Sequence, residues 1–438
     1  MWTLVNDMLP AKIGPDLYLP FLAAAPAPRM LPGLVLFLLF LIVLVVVERG
    51  ADRADKTRRL VWLLPCAFLV RGGVAIASTF TALVPPLYTL DAESYDRFGW
   101  LIAEAWRGGP PVAPALFESF NSKAYAYWCG SVYYWLGYSP LSMRVINCLF
   151  GALLVKNIFQ CVSALSNKRA ATRAAIVVAF LPSLVFWSSQ NFRDGLVFYG
   201  LSEVVYSSIR WGTGGNGLWF LRMALAMAFT SVMRISVGAP ALALSVPFFV
   251  KRARWGDRRW LTLATFCAMG LMLAAGIYFF RGALFGYLDP HKLSALRGRL
   301  AANGATNFPA LHYENWLDVL IYLPYATGYY LLAPFPWQRA NPVQTLASVE
   351  NLFVVVALAL GSVGTVRLWR KQRARVSFAI FYIAALALAG GLVEGNIGTG
   401  YRHKMQIIPY FVVWTFAGLN WPLTMRRPFT ARTPMKSV

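Results

Sequence analysis

Of 438 residues, 58% are hydrophobic and 13% charged, and the apolar residues fall in blocks longer than a soluble core uses. The formal net charge of +23 would suit a nucleic-acid binder, but the Lys and Arg stand in short segments between those blocks; they read as membrane topology, and nucleic acid is excluded as a partner. Cys66, Cys129, Cys148, Cys161 and Cys267 are too scattered for a disulfide framework. The chain has no CxxC and no repeat of fixed period, so zinc-ribbon, redox and solenoid readings fall away.

Residues 1–30 lack an uninterrupted apolar run behind a basic start and read as an outward segment, not a cleaved signal. Residues 31–424 form one all-α polytopic transmembrane domain, because crossing a hydrocarbon core of about 30 Å takes roughly 18–20 apolar residues as a helix. About eleven such spans are read: 31–47, 60–84, 141–165, 172–190, 195–210, 218–233, 235–250, 260–280, 352–368, 376–393 and 405–422. The stretch 218–250 is split at Gly238-Ala239-Pro240, since one unbroken helix would be about 50 Å long.

Segments 48–59, 166–173, 210–217, 251–259, 367–375 and the tail 425–438 hold 23 of the 41 basic residues and 4 of the 18 acids. Loops rich in Lys and Arg stay in the cytoplasm, and eleven spans put all six segments on that face. The N-terminus is then outside and the C-terminus inside, in a membrane crossed many times.

Two large loops face outward, 85–140 and 281–348. In the first, Asp91 to Arg107 is amphipathic: Tyr95, Phe98, Leu101, Ile102, Ala105 and Trp106 share one face, and Glu93, Asp96, Arg97, Glu104 and Arg107 share much of the other. That predicts a helix lying in the membrane surface. Asn121 to Tyr138 is crowded with Tyr and Trp, which suits a headgroup-level aromatic belt or a platform for sugar rings. In the second loop, Asn315 to Leu332 reads as re-entrant or surface-lying, because a full span there would carry the basic run at 370–375 outside.

Gly212-Thr213-Gly214-Gly215-Asn216-Gly217 fits the dinucleotide fingerprint but joins two apolar helices and follows no strand, so it is a turn. His291 and His312 with Asp289, Glu314 and Asp318 make a loose polar set with no recognised metal-ligand spacing, and no metal site is assigned. Lys123, Arg144, Arg193, Arg234, Arg281, Arg339, Arg402 and Lys404 stand at outer span ends, where topology disfavours them; together they point to an anionic ligand, a lipid-linked phosphate being the natural candidate. Arg71, Lys156, Glu203 and Arg222 lie within spans, as partners of one another or as part of a transport path.

Leu90-Asp91-Ala92-Glu93-Ser94-Tyr95 with the helix behind it resembles the first outward loop of the GT-C glycosyltransferases, in the bacterial branch related to the dolichyl-phosphate-mannose protein mannosyltransferases. Tyr133-Tyr134-Trp135-Leu136-Gly137-Tyr138-Ser139-Pro140-Leu141 running into Arg144-Val145-Ile146-Asn147 is similar to that family. So are Leu181-Pro182-Ser183-Leu184-Val185-Phe186-Trp187-Ser188 with Arg193-Asp194, and Gly400-Tyr401-Arg402-His403-Lys404. Two features depart from it. The acidic loop follows a second span rather than the first, and Ala92 separates Asp91 from Glu93 where the protein mannosyltransferases pair Asp with Glu.

The resemblance implies a GT-C-like fold and inverting transfer of a sugar from a polyprenyl-phosphate carrier to a hydroxyl of a lipid, glycan or protein acceptor on the outer (periplasmic) face, as in cell-envelope polysaccharide synthesis. Asp91 would be the base, Glu93 and Asp96 would orient the acceptor, and Arg193, Arg402, Lys404 and Lys123 would hold the donor phosphate, with no cofactor required and a divalent metal unsupported. Two other functions fit the same composition. One is an O-antigen-type ligase or polymerase using a diphosphate-linked glycan; the other is a transporter or flippase of a lipid-linked substrate, built on the in-span charges.

Overall fold

The computed structural model describes residues 26–55, 62–81, 90–112, 122–213, 217–238, 240–241, 244, 289–302, 306–338 and 341–419. The predicted span 260–280, most of 235–250, the basic segment 251–259, the tail 425–438, the outward segment before residue 26, Arg281 and Arg339 lie outside them. Among the described residues there is no strand; an isolated bridge joins Asn307 to Asn396. Among the described residues three helices are long and apolar enough to cross a membrane, Leu63–Phe80, Pro140–Leu165 and Pro342–Val393, and shorter apolar ones occur at Leu31–Val46, Gly217–Met233 and Ile408–Leu419.

In chain order the named helices are α1 (Leu31–Asp55), α2 (Leu63–Phe80), α3 (Leu90–Trp106), α4 (Lys123–Leu136), α5 (Pro140–Leu165), α6 (Lys168–Phe180), α7 (Pro182–Trp187), α8 (Asp194–Gly212), α9 (Gly217–Met233), α10 (Pro290–Ala302), α11 (Trp316–Leu332), α12 (Pro342–Val393), α13 (Ile397–Lys404) and α14 (Ile408–Leu419). The core is built on α5, which packs against α1, α2, α6, α8 and α14, and on α8, which is buried along nearly its whole length. Leu, Val and Phe of α1, α11 and α12 point outward in rows, as lipid-facing side chains do.

The predicted span 172–190 is broken. Pro182 has no N–H and cannot continue the helix, so α6 ends at Phe180 and α7 starts afresh. The carbonyls released by that break are taken by Arg71 of α2, whose Nη1 donates to Ala179 O at 2.8 Å and whose Nη2 donates to Val178 O at 3.5 Å, while its Nε donates to the Ser188 hydroxyl at 2.9 Å. A break in this stretch falls at Arg234, the non-helical residue after α9 ends at Met233, while Ala239 of the expected break at Gly238-Ala239-Pro240 lies outside the described residues. The spans 352–368 and 376–393 are the two arms of α12, which bends at Gln372 (φ −138°, ψ 34°) inside the basic segment.

That bend shows how the ends sort. Gln372 Nε2 donates to Leu165 O at 2.8 Å, and a Cβ on Gly212 would lie 2.8 Å from Arg375 Cα, so three of the basic segments gather at one end of the bundle. Asp194 begins the 19-residue α8 that finishes at Gly212, about 28 Å away along the axis. α12 and α14 meet through glycine: a Cβ on Gly364 would sit 2.1 Å from the Trp414 carbonyl, so only the missing side chain lets the backbones approach. Gly364→Leu is expected to lower the thermal midpoint in detergent, by the equivalent of about 1–3 kcal/mol for overpacking, while Val363→Leu on the exposed face leaves it unchanged. Equal melting of the two variants would contradict the contact.

Candidate functional site

At the end of the bundle away from the basic turns, four distant pieces of chain meet: the start of α3, the turn 188–193 leading into α8, the residue after α9, and α13. Arg402 of α13 lies between two carboxylates. Its Nε donates to Asp194 Oδ2 at 2.7 Å, its Nη2 contacts the same oxygen, and its Nη1 donates to Asp91 Oδ2 at 2.7 Å. The Phe192 ring centre is 4.1 Å and the Trp187 ring centre 5.2 Å from its guanidinium carbon, so cation–π attraction and the ion pairs hold the plane from different sides. Burial works against the charge of Arg402, but Asp194 and Asp91 raise its pKa above the ordinary value, and it stays a cation.

The two acids differ in environment. Asp194 is fully buried in the first turn of α8, where the helix dipole favours an anion, whereas the Asp91 side chain is 60% exposed at the head of α3. A second guanidinium enters from Arg234, whose Nη1 stands 3.4 Å from Asp194 Oδ1, and Arg193 precedes Asp194 in sequence. Three guanidinium groups thus attend two carboxylates. Arg193 Nε and Arg234 Nε, both buried, have no hydrogen-bond partner among the described residues. Buried N–H donors left over beside excess positive charge are what an incoming anionic oxygen would satisfy.

Asp96 is placed otherwise than expected. It is buried one turn beyond Asp91, and its Oδ1 accepts from Tyr133 Oη of α4 and from Asn191 Nδ2, the latter at 2.6 Å. Asn191 Oδ1 accepts from Tyr125 Oη at 2.6 Å, and Asn147 Nδ2 of α5 donates to Tyr125 Oη and to the carbonyls of Gln190 and Phe192. This polar network ties α3 and α4 to the turn that delivers Arg193 and Asp194. Asp96 is therefore bonded to protein groups; Asn147, which the sequence offered within a motif, joins it, as do Asn191 and Tyr125, which no motif included.

Glu93 is exposed on α3, and Lys123 is exposed at the start of α4. Lys404 is fully buried: its Nζ donates to Leu331 O at 3.0 Å, Ala333 O at 2.5 Å and Asn351 Oδ1 at 2.6 Å, and burial pushes its pKa well below the usual lysine value. It anchors α13 to the end of α11 instead of facing the cluster. Within the spans, Glu203 takes two hydrogen bonds from Arg222 at 2.7 and 2.8 Å and one from Asn157 at 3.0 Å. With the helix-end role of Arg71, this gives three of the in-span charges protein partners.

In the second loop, Asp318 accepts from the backbone N–H groups of Glu314 and Asn315 within the cap of α11, and an open groove beside it is lined by His291, His312 and Glu314. Among the described residues no three His, Cys, Asp or Glu side chains stand close enough to hold a metal ion. No protein-family profile matches the chain, and no curated protein is significantly similar to it in sequence.

Burial raises the Asp96 pKa to about 6, against the lowering from Tyr133, Arg144 and Asn191. An unfolded aspartate titrates near 3.9, so between about pH 4 and pH 6 the folded protein holds a proton that the unfolded chain has lost, and stability falls as pH rises through that window. Asp96→Asn, whose amide oxygen can accept the same two hydrogen bonds, is expected to remove that slope and to gain on the order of 1–2 kcal/mol at pH 7.5 relative to pH 4.5. Melting curves at both pH values check it; parallel shifts of wild type and variant would contradict the assignment.

Proposed function

We propose that the protein is a membrane glycosyltransferase that moves a sugar from a polyprenyl-phosphate carrier to an acceptor hydroxyl on the outer face, with inversion at the anomeric carbon. The observation that carries this reading is the pairing, at one end of the bundle, of an exposed carboxylate with buried guanidinium groups whose N–H donors are left over. A glycosyl phosphate already has a good leaving group. The reaction needs a base for the acceptor hydroxyl and cations for the charge that grows on the departing phosphate.

Asp91 is the base, reachable by an acceptor because it is largely exposed, and Arg402 fixes one of its oxygens. Arg402, Arg234 and Arg193 are the phosphate-binding set, with Asp194 holding the first two in register. The meeting of Asp91, Asn147, Trp187, Arg193, Asp194 and Arg402, all drawn from the motifs that resemble the GT-C enzymes, supports the same reading. The basic turns at the far end support an outward orientation for the site.

Membranes containing the protein, supplied with labelled polyprenyl-phosphate monosaccharides, test the activity. Asp91→Asn is expected to keep expression and folding and to lose transfer by about a hundredfold or more. Arg402→Lys, which keeps the charge but loses the fork, is expected to raise the apparent KM for donor about tenfold. Full transfer by Asp91→Asn would remove it as the base. Transfer only from a diphosphate-linked oligosaccharide would move the protein to the ligase or polymerase class.

A further inference from the structure

Next to Arg402 on α13 stands a pair that the reaction above leaves unused. Nδ1 of His403 contacts Oε1 of Glu394, the residue that ends α12. The imidazole is 24% exposed and the carboxylate 7%, so the pair is buried on its glutamate side and open on its histidine side. Glu394 Oε2 has no hydrogen-bond partner among the described residues. This is unlike the structural glutamates of the fold: both oxygens of Glu350 are taken by Ser183, and both oxygens of Glu203 by Arg222. A carboxylate whose observed side-chain contact is an imidazole Nδ1 fixes that ring's tautomer, leaving Nε2 to exchange a proton with something else.

Charged and titratable groups from four elements act on the pair. From the residue after α9 comes Arg234, and from the head of α8 comes Asp194, both acting electrostatically on His403; Tyr330 of α11 and Arg297 of α10 act on Glu394. The imidazole therefore belongs to the cationic side of the cluster, with Arg402 as its chain neighbour, and not to the exposed head of α3.

We propose that Glu394 and His403 form the acid partner of the transfer reaction, a proton donor to the phosphate oxygen that leaves the sugar. This rests on the glycosyl-transfer reading. In the step, the acceptor O–H gives its proton to Asp91 as its oxygen bonds to the anomeric carbon. The bond from that carbon to the phosphate oxygen breaks with its electron pair on oxygen, and His403 Nε2–H supplies a proton to that oxygen. Asp91 ends protonated and His403 neutral, and solvent restores both. Glu394 stabilises the imidazolium before transfer.

Burial lowers the His403 pKa below the ordinary histidine value, against the raising effect of Glu394. A phosphate seated against Arg402 and Arg234 adds negative charge beside the ring and favours its protonation, so binding of the anion takes up a proton. The probe is farnesyl methyl phosphate, a diester that stays a monoanion from pH 5.5 to 8. Its binding to the purified protein in nanodiscs is measured calorimetrically in two buffers of different ionisation heat.

Wild-type protein is expected to take up a fraction of a proton on binding, and to bind more tightly as pH falls, by at most about tenfold per pH unit. His403→Gln, whose amide can still donate to Glu394, is expected to keep the high-pH affinity and lose both the uptake and the slope. Glu394→Gln is expected to move the slope to lower pH. Proton uptake unchanged in His403→Gln, or no uptake in the wild type despite binding, would overturn the proposal. Proton-linked binding together with a chain that transfers no sugar would remove the glycosyl-transfer reading and the acid role with it, leaving only a proton-coupled anion site.

Discussion

Arg402 lies 311 residues from Asp91 and 208 from Asp194, and its guanidinium occupies the space between their carboxylates. Burying Asp194 without a cation would cost several kcal/mol, and burying Arg402 without an anion would do the same. Each therefore requires the other, and the pair can form only when α8 and α13 are packed together. Asp91 adds α3 to that joint from its exposed side. The network from Asp96 through Asn191 and Tyr125 to Asn147 then sets the distance between α3 and the turn that carries Asp194.

The same constraint makes the site lopsided in a useful way. One carboxylate is spent on holding guanidinium groups, while the other meets solvent. Arg402 lies over Trp187 and Phe192, and Arg193 and Arg234 beside it carry buried Nε–H groups without hydrogen-bond partners among the described residues. Preorganised donors of this kind stabilise developing negative charge without reorganising when it appears. Lys404 contributes by a different route, gripping the carbonyls of Leu331 and Ala333 so that the short α13 cannot swing away from α11.

Much of this was legible in the sequence because it rests on local pattern. The amphipathic run after Asp91 gave α3 nearly to its ends, and the basic segments at 166–173, 210–217 and 367–375 meet at one end of the bundle. Other features depended on tertiary partners that no periodicity encodes. Asp96 falls on the polar face of its helix by counting, yet Tyr133 and Asn191 draw it inward. Pro182 announces a helix break, but an apolar window runs across it, and the cation that satisfies the freed carbonyls comes from Arg71, more than a hundred residues earlier. Arg234 was visible as one of several outer cations and His403 as part of a motif; their carboxylate partners, Asp194 and Glu394, come from distant pieces of chain that no local pattern pairs with them.

The account's central claim is that the guanidinium cluster around Arg402 is where the lipid phosphate sits. Photolabelling in native membranes with a polyprenyl phosphate bearing a diazirine close to the phosphate, followed by peptide mapping, tests it most directly. The account predicts crosslinks within 187–197 and 397–408, lost when unlabelled polyprenyl phosphate is added in excess. Crosslinks confined to the opposite end, around the basic turns at 165–173 and 367–375, would contradict it.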